Sequence, residues 1–166
     1  MEIKDNKLYA FLNTAVNSQV RPFCDAGYAN GYVAIPTDHP YYGEEYSLID
    51  EKLGICIHGG LTFSAFIFEI KKIPAWVNCT ECIDFDSFNE IPDDYYVVGF
   101  DTIHFGDSSK DRDWCIKETK RLKEALSIPT KQPTPNPDTE SDHQRDSVSD
   151  RQPDSVSASR PNSDIC

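Results

Sequence analysis

The chain has 166 residues and a formal net charge of −12 at neutral pH. So acidic a protein lacks the clustered positive charge that sequence-independent binding to DNA, RNA or anionic lipid requires. Its composition splits it into a body, residues 1–128, with 12 Lys and Arg against 21 Asp and Glu, and a tail, residues 129–166, with no aromatic residue.

In chain order, Tyr9 to Val16 reads as a short helix or strand. Gly27 to Gly31 is turn chemistry. Tyr32 to Ile35 reads as a strand stopped by Pro36. His39-Pro-Tyr-Tyr-Gly43 reads as a loop with exposed aromatics. Leu53 to His58 and Leu61 to Ile70 read as two strands across the Gly59-Gly60 break. Trp76 to Pro92 reads as irregular and acidic, and Asp94 to Phe100 as a strand rich in Tyr and Val. The one clear helix runs from about Lys110 to Leu126. Cys115, Thr119, Leu122 and Leu126 recur on one face, and Asp107, Ser108 or Ser109 is placed to cap it. Strands followed by a helix, without regular alternation, predict an α+β domain with a mostly antiparallel sheet and a C-terminal amphipathic helix.

The tail, Pro129 to Cys166, has only Val148, Val156 and Ile165 as larger aliphatics. It cannot bury enough apolar surface to offset its ordering entropy, so it is expected to be disordered and dispensable for folding of the single domain 1–128. Residues 1–20 hold no apolar signal core, and the longest apolar stretch, Leu61 to Phe68, is too short for a membrane span. These features lead to the expectation of a cytoplasmic protein without membrane contact, its six cysteines reduced.

Chemistry concentrates in two segments. In Cys56-Ile-His58-Gly59-Gly60-Leu-Thr62, the glycine pair allows close approach of a ligand to backbone N–H groups, or else a hairpin turn whose histidine bonds a carbonyl. In Asp101-Thr-Ile-His104-Phe-Gly-Asp107, carboxylates and an imidazole spaced three apart form a ligand set for zinc or another divalent ion, and equally a general-base set. The plainer reading makes Asp107 a helix cap and Asp101 an acceptor for loop amides. The two histidines are expected to share one site. Cys79-Thr-Glu-Cys82 has zinc-knuckle spacing without a second pair, and Cys24, Cys56 and Cys115 are scattered. Trp76, Tyr41-Tyr42 and Tyr95-Tyr96 could stack a base or pack as core.

The blocks Gly31-Tyr-Val-Ala-Ile-Pro36, His39-Pro-Tyr-Tyr-Gly43, His58-Gly-Gly-Leu-Thr-Phe-Ser64, Gly99-Phe-Asp-Thr-Ile-His104 and Gly106-Asp107, with the Glu118-Thr119…Leu122…Leu126 helix, resemble a family of small uncharacterised proteins encoded by bacteriophages and prophages. The resemblance covers Gly31 to Leu126. It implies a phage origin and residence in the host bacterial cytoplasm, and it implies no activity. Lys71 to Pro92, with its cysteine pair, looks like an insertion.

Three functions fit. The first is a phage counter-defence protein that binds and sequesters a small polar, nucleotide-derived host signal without turning it over. It would use His58, Gly59, Gly60, Thr62, Asp101, His104 and Asp107, and no cofactor. The alternative is a hydrolase dependent on a divalent metal, with His58, Asp101, His104 and Asp107 at its centre. The third is an acidic inhibitor that docks on a host defence protein.

Overall fold

The computed structural model describes residues 7–127, so the tail and its expected disorder lie outside the described residues. Ten elements follow in order: β1 (Tyr9–Asn13), α1 (Ala15–Val20), β2 (Asn30–Ile35), α2 (Tyr46–Leu53), β3 (Phe63–Phe66), α3 (Ile67–Ile70), α4 (Pro74–Asn78), β4 (Thr80–Ile83), β5 (Tyr96–Phe100) and α5 (Arg112–Ser127). The strands form one sheet in the order β3-β5-β2-β1-β4, with every pairing antiparallel. The body is therefore α+β, with a five-stranded antiparallel sheet and a C-terminal helix.

The central strands β1, β2 and β5 are buried along their whole length because both faces of the sheet are covered. On one face Ala10, Leu12, Val33, Ile35, Val98 and Phe100 meet Cys115, Leu122 and Leu126 of α5 and Ile49 of α2. The periodic stripe read from the sequence is the buried face of α5: Cys115, Thr119, Leu122 and Leu126. Gly31 lets the helix come this close, since a Cβ there would overlap Thr119 and the Phe100 ring. The opposite face packs Phe11, Tyr32 and Val97 against Ile67 and Ile70 of α3 and against Phe88 and Ile91.

Several expected elements differ. Leu53 to His58 is not a strand. Tyr46–Leu53 is helical with Ile49 buried, and Gly54 in the left-handed region (φ 66°) ends it. Of Leu61 to Ile70, only Phe63–Phe66 is strand; Ile67 donates its N–H to Tyr95 O and turns the chain into α3. Trp76 to Pro92 is not irregular: it holds the end of α4, a 3₁₀ turn at Phe88–Glu90, and edge strand β4, which pairs with β1. The aromatics of the 39–43 loop are not uniformly exposed. Tyr41 is buried, and His39 Nε2 donates to Leu126 O at the end of α5 (2.8 Å). Tyr95 and Tyr96 are also core, and Trp76 packs on Phe11, Tyr32 and Phe63.

Among the described residues no helix is long and apolar enough to cross a membrane. Cys24, Cys79, Cys82 and Cys115 are free thiols. Cys56 sits on an exposed loop rather than in the strand expected there.

Candidate metal centre

Two loops build the site. The first leaves α2 at Gly54 and is pinned by the fully buried Ile57. His58 donates its backbone N–H to Glu118 Oε1 of α5 (2.9 Å), which anchors the loop to the helix. Gly60 donates to Ile57 O (2.7 Å) and Leu61 to Asp50 Oδ1 (3.0 Å). Gly59 has φ 67°, and a Cβ there would stand 2.8 Å from His104 Cε1. The glycine is what lets the imidazole lie against the loop backbone.

The second loop leaves the end of β5. Thr102 is fully buried and takes its N–H to Asn30 Oδ1 (3.0 Å) and its hydroxyl to Ala29 O (2.9 Å). Asp101 Oδ1 accepts the Ile103 N–H (3.1 Å). The chain then makes a turn from His104 to Asp107, closed by Asp107 N–H to His104 O (3.1 Å). Gly106, at φ 87° and ψ 0°, has the geometry of the third residue of a type II turn, a place that glycine fills without strain. The two ends of this turn are His104 and Asp107.

Asp107 is 2% exposed and organises the centre. Its Oδ2 accepts the His104 N–H (2.9 Å) and lies 3.2 Å from His104 Nδ1. Its Oδ1 lies 2.9 Å from His58 Nε2. Burial alone would raise the Asp107 pKa. The His104 amide, the neighbouring His58 imidazole and the His104 ring outweigh it and hold the carboxyl below the usual carboxylate range. The two imidazoles are 5.6 Å apart, and the edge of one meets Trp114, 4.9 Å from the His58 ring.

A ring nitrogen of His58, a ring nitrogen of His104 and an Asp107 oxygen lie within 4.8 Å of one another, and no other group of three or more His, Cys, Asp or Glu among the described residues is placed to hold an ion. Two imidazole nitrogens and a carboxylate make a three-ligand set that leaves a coordination position open. The His58 nitrogen supports that fit. It is shut off from solvent and faces the Asp107 carboxylate, with Oδ1 2.9 Å away, so both groups already converge on one point.

Of the residues expected at the site, His58, His104 and Asp107 converge. Asp101 stands beside them, its Oδ1 3.7 Å from His104 Nδ1. Gly59 and Gly60 shape the loop. Thr62 is tied instead to β5 through its N–H to Gly99 O (2.9 Å). Asp107 opens a 3₁₀ turn rather than capping α5; the cap is Asp111, whose Oδ1 accepts the Trp114 N–H (2.8 Å). Glu118, Trp114 and Asp50 support the loops without having stood out as site residues. Trp114 and Glu118 are four apart on α5, a spacing that puts them on one side of the helix. A cavity of about 350 Å³ lies along the same loop, lined by Asp50, Gly54, Ile55, Ile57 and Gly60 among others, and neither imidazole lines it.

No family model, no curated protein and no solved structure matches this chain.

Proposed function

We propose that the protein is a metal-dependent hydrolase whose divalent ion, zinc foremost, is held by His58, His104 and Asp107. The observation that carries this reading is the convergence of two imidazole nitrogens on one buried carboxylate, within 4.8 Å and from two different loops. An ion with three such ligands binds water in its open position and makes it a nucleophile near neutral pH. Asp101, part-exposed beside His104, is the carboxylate available to take up the proton.

The sequestration reading asks for free backbone donors. The His58, Gly60 and Leu61 amides already have acceptors in Glu118, Ile57 and Asp50. The first turn of α5 is capped by a carboxylate, Asp111. A cation therefore suits the site better than a phosphate. A phage counter-defence setting in a bacterial cytoplasm rests on the motif resemblance alone.

The test is metal analysis after dialysis against zinc or manganese, followed by ester, amide and phosphoester hydrolysis with and without chelator. One equivalent of metal and chelator-sensitive turnover are expected, both lost in His58→Ala and His104→Ala. Retention of metal by both variants would place the ion elsewhere.

A further inference from the structure

Two large apolar side chains stand in solvent on loops that are joined to the centre. Phe105 is 99% exposed and Phe23 is 89% exposed. Phe105 is the second residue of the turn whose ends are His104 and Asp107, so its backbone position is set by the centre itself. The loop bearing Phe23 is fastened to that turn: Gly106 donates its N–H to Asp25 Oδ2 (3.4 Å), and Gly27 donates to Thr102 O (2.7 Å). Isolated exposed apolar residues are ordinary, but here both belong to loops held together at one ligand cluster.

The charges of these loops limit what can approach. They carry Asp25, Asp101 and Asp107, with no Lys or Arg from Pro22 to Gly27 or from Asp101 to Ser109. The adjoining Arg21 spends its guanidinium on the Gly27 and Tyr28 carbonyls, and Lys110 lies over the Trp114 ring. Phosphoryl substrates call for cationic clamps to meet their charge. A neutral or cationic amide does not, and two exposed aromatic rings suit an apolar side chain.

We propose that the substrate is a peptide with an apolar side chain at the scissile amide and no nearby acidic group, held by Phe105 and Phe23. This rests on the hydrolase reading above. In the reaction water adds to the carbonyl carbon, the C–N bond breaks, and the leaving nitrogen takes the proton. No electrons are exchanged with a further reagent.

The experiment uses the zinc-loaded full chain and quenched-fluorescent peptides that place Phe, Lys or Asp next to the cleaved bond, with bis(p-nitrophenyl) phosphate as the competing class. Chelator-sensitive cleavage is expected in the order Phe, then Lys, with Asp poorest. Phe105→Ser and Phe23→Ser should keep one zinc and the wild-type melting temperature while raising KM about tenfold, with kcat changed less. Zinc binding with turnover of the phosphodiester only, with no cleavage of any peptide, or with peptide KM unmoved in both variants would overturn the peptide inference and leave the metal centre standing. Absence of zinc binding would remove the hydrolase reading, and this inference with it.

Discussion

At Asp107 one buried carboxylate serves a backbone N–H and faces two imidazoles. Asp107→Asn puts an amide N–H where an acceptor is needed, and a buried donor left opposite another donor costs about 1–3 kcal/mol. The loss should show in urea unfolding at pH 7, together with loss of bound zinc. The pH dependence has a definite sign. The folded carboxyl titrates below the ordinary range, so its stabilisation is complete above the unfolded aspartate value of about 4. It is lost as pH falls through the lower folded value. The stability gap between wild type and Asp107→Asn should shrink as pH falls below about 4. A gap that widens with acid would contradict this assignment. Gly59 sets a separate condition. Gly59→Ala strains a backbone at φ 67° and brings its methyl against His104. Zinc affinity should fall at least about tenfold, as when a ligand's support is disturbed, and calorimetric titration reads it directly.

At the scale of elements, α5 carries the first loop and is itself held at its end by His39. The ring donates from Nε2 to Leu126 O, and Nδ1 accepts the Tyr41 N–H (3.1 Å), so the neutral ring satisfies both partners. Burial lowers the His39 pKa against the pull of the Leu126 carbonyl and Asp38. The unfolded chain therefore takes up the proton first as pH falls below about 6.5. Between that value and the lower folded one, stability should decline with acid. His39→Gln should show a smaller loss between pH 7.5 and pH 5.5 in chemical denaturation; an equal loss would exclude His39 as its source. The elements also show what a single sequence reveals. The helix stripe and strands β2 and β5 were legible because their patterns are local and their burial is nearly complete. β4 was not, since Thr80, Glu81 and Cys82 are half-buried edge residues defined by pairing with β1 nearly seventy positions away. α2 was missed because Leu53 to His58 looks apolar, whereas Gly54 divides it. His58 and His104 were legible from the glycines beside them. Glu118 was not, because its bond to the His58 amide spans sixty residues.

For the whole molecule, the sheet brings the end of β5 beside a loop that precedes β3, its neighbour, and α5 lies behind that loop. An ion bound to His58 on one side and to His104 and Asp107 on the other would tie the two loops together. A ligand that binds only the folded state stabilises it by about 2.7 kcal/mol at a hundred times its dissociation constant. Zinc should therefore raise the melting temperature of the wild-type chain and leave that of His58→Ala unmoved. The most direct measurement is X-ray absorption at the zinc edge on protein loaded with one equivalent and desalted. A first shell of nitrogen and oxygen at roughly 2.0–2.1 Å, with the outer-shell signature of two imidazoles, is the result expected of His58, His104 and Asp107. A sulfur shell at roughly 2.3 Å would assign the ion to the free thiols Cys79 and Cys82, and zinc lost on desalting would contradict the centre altogether.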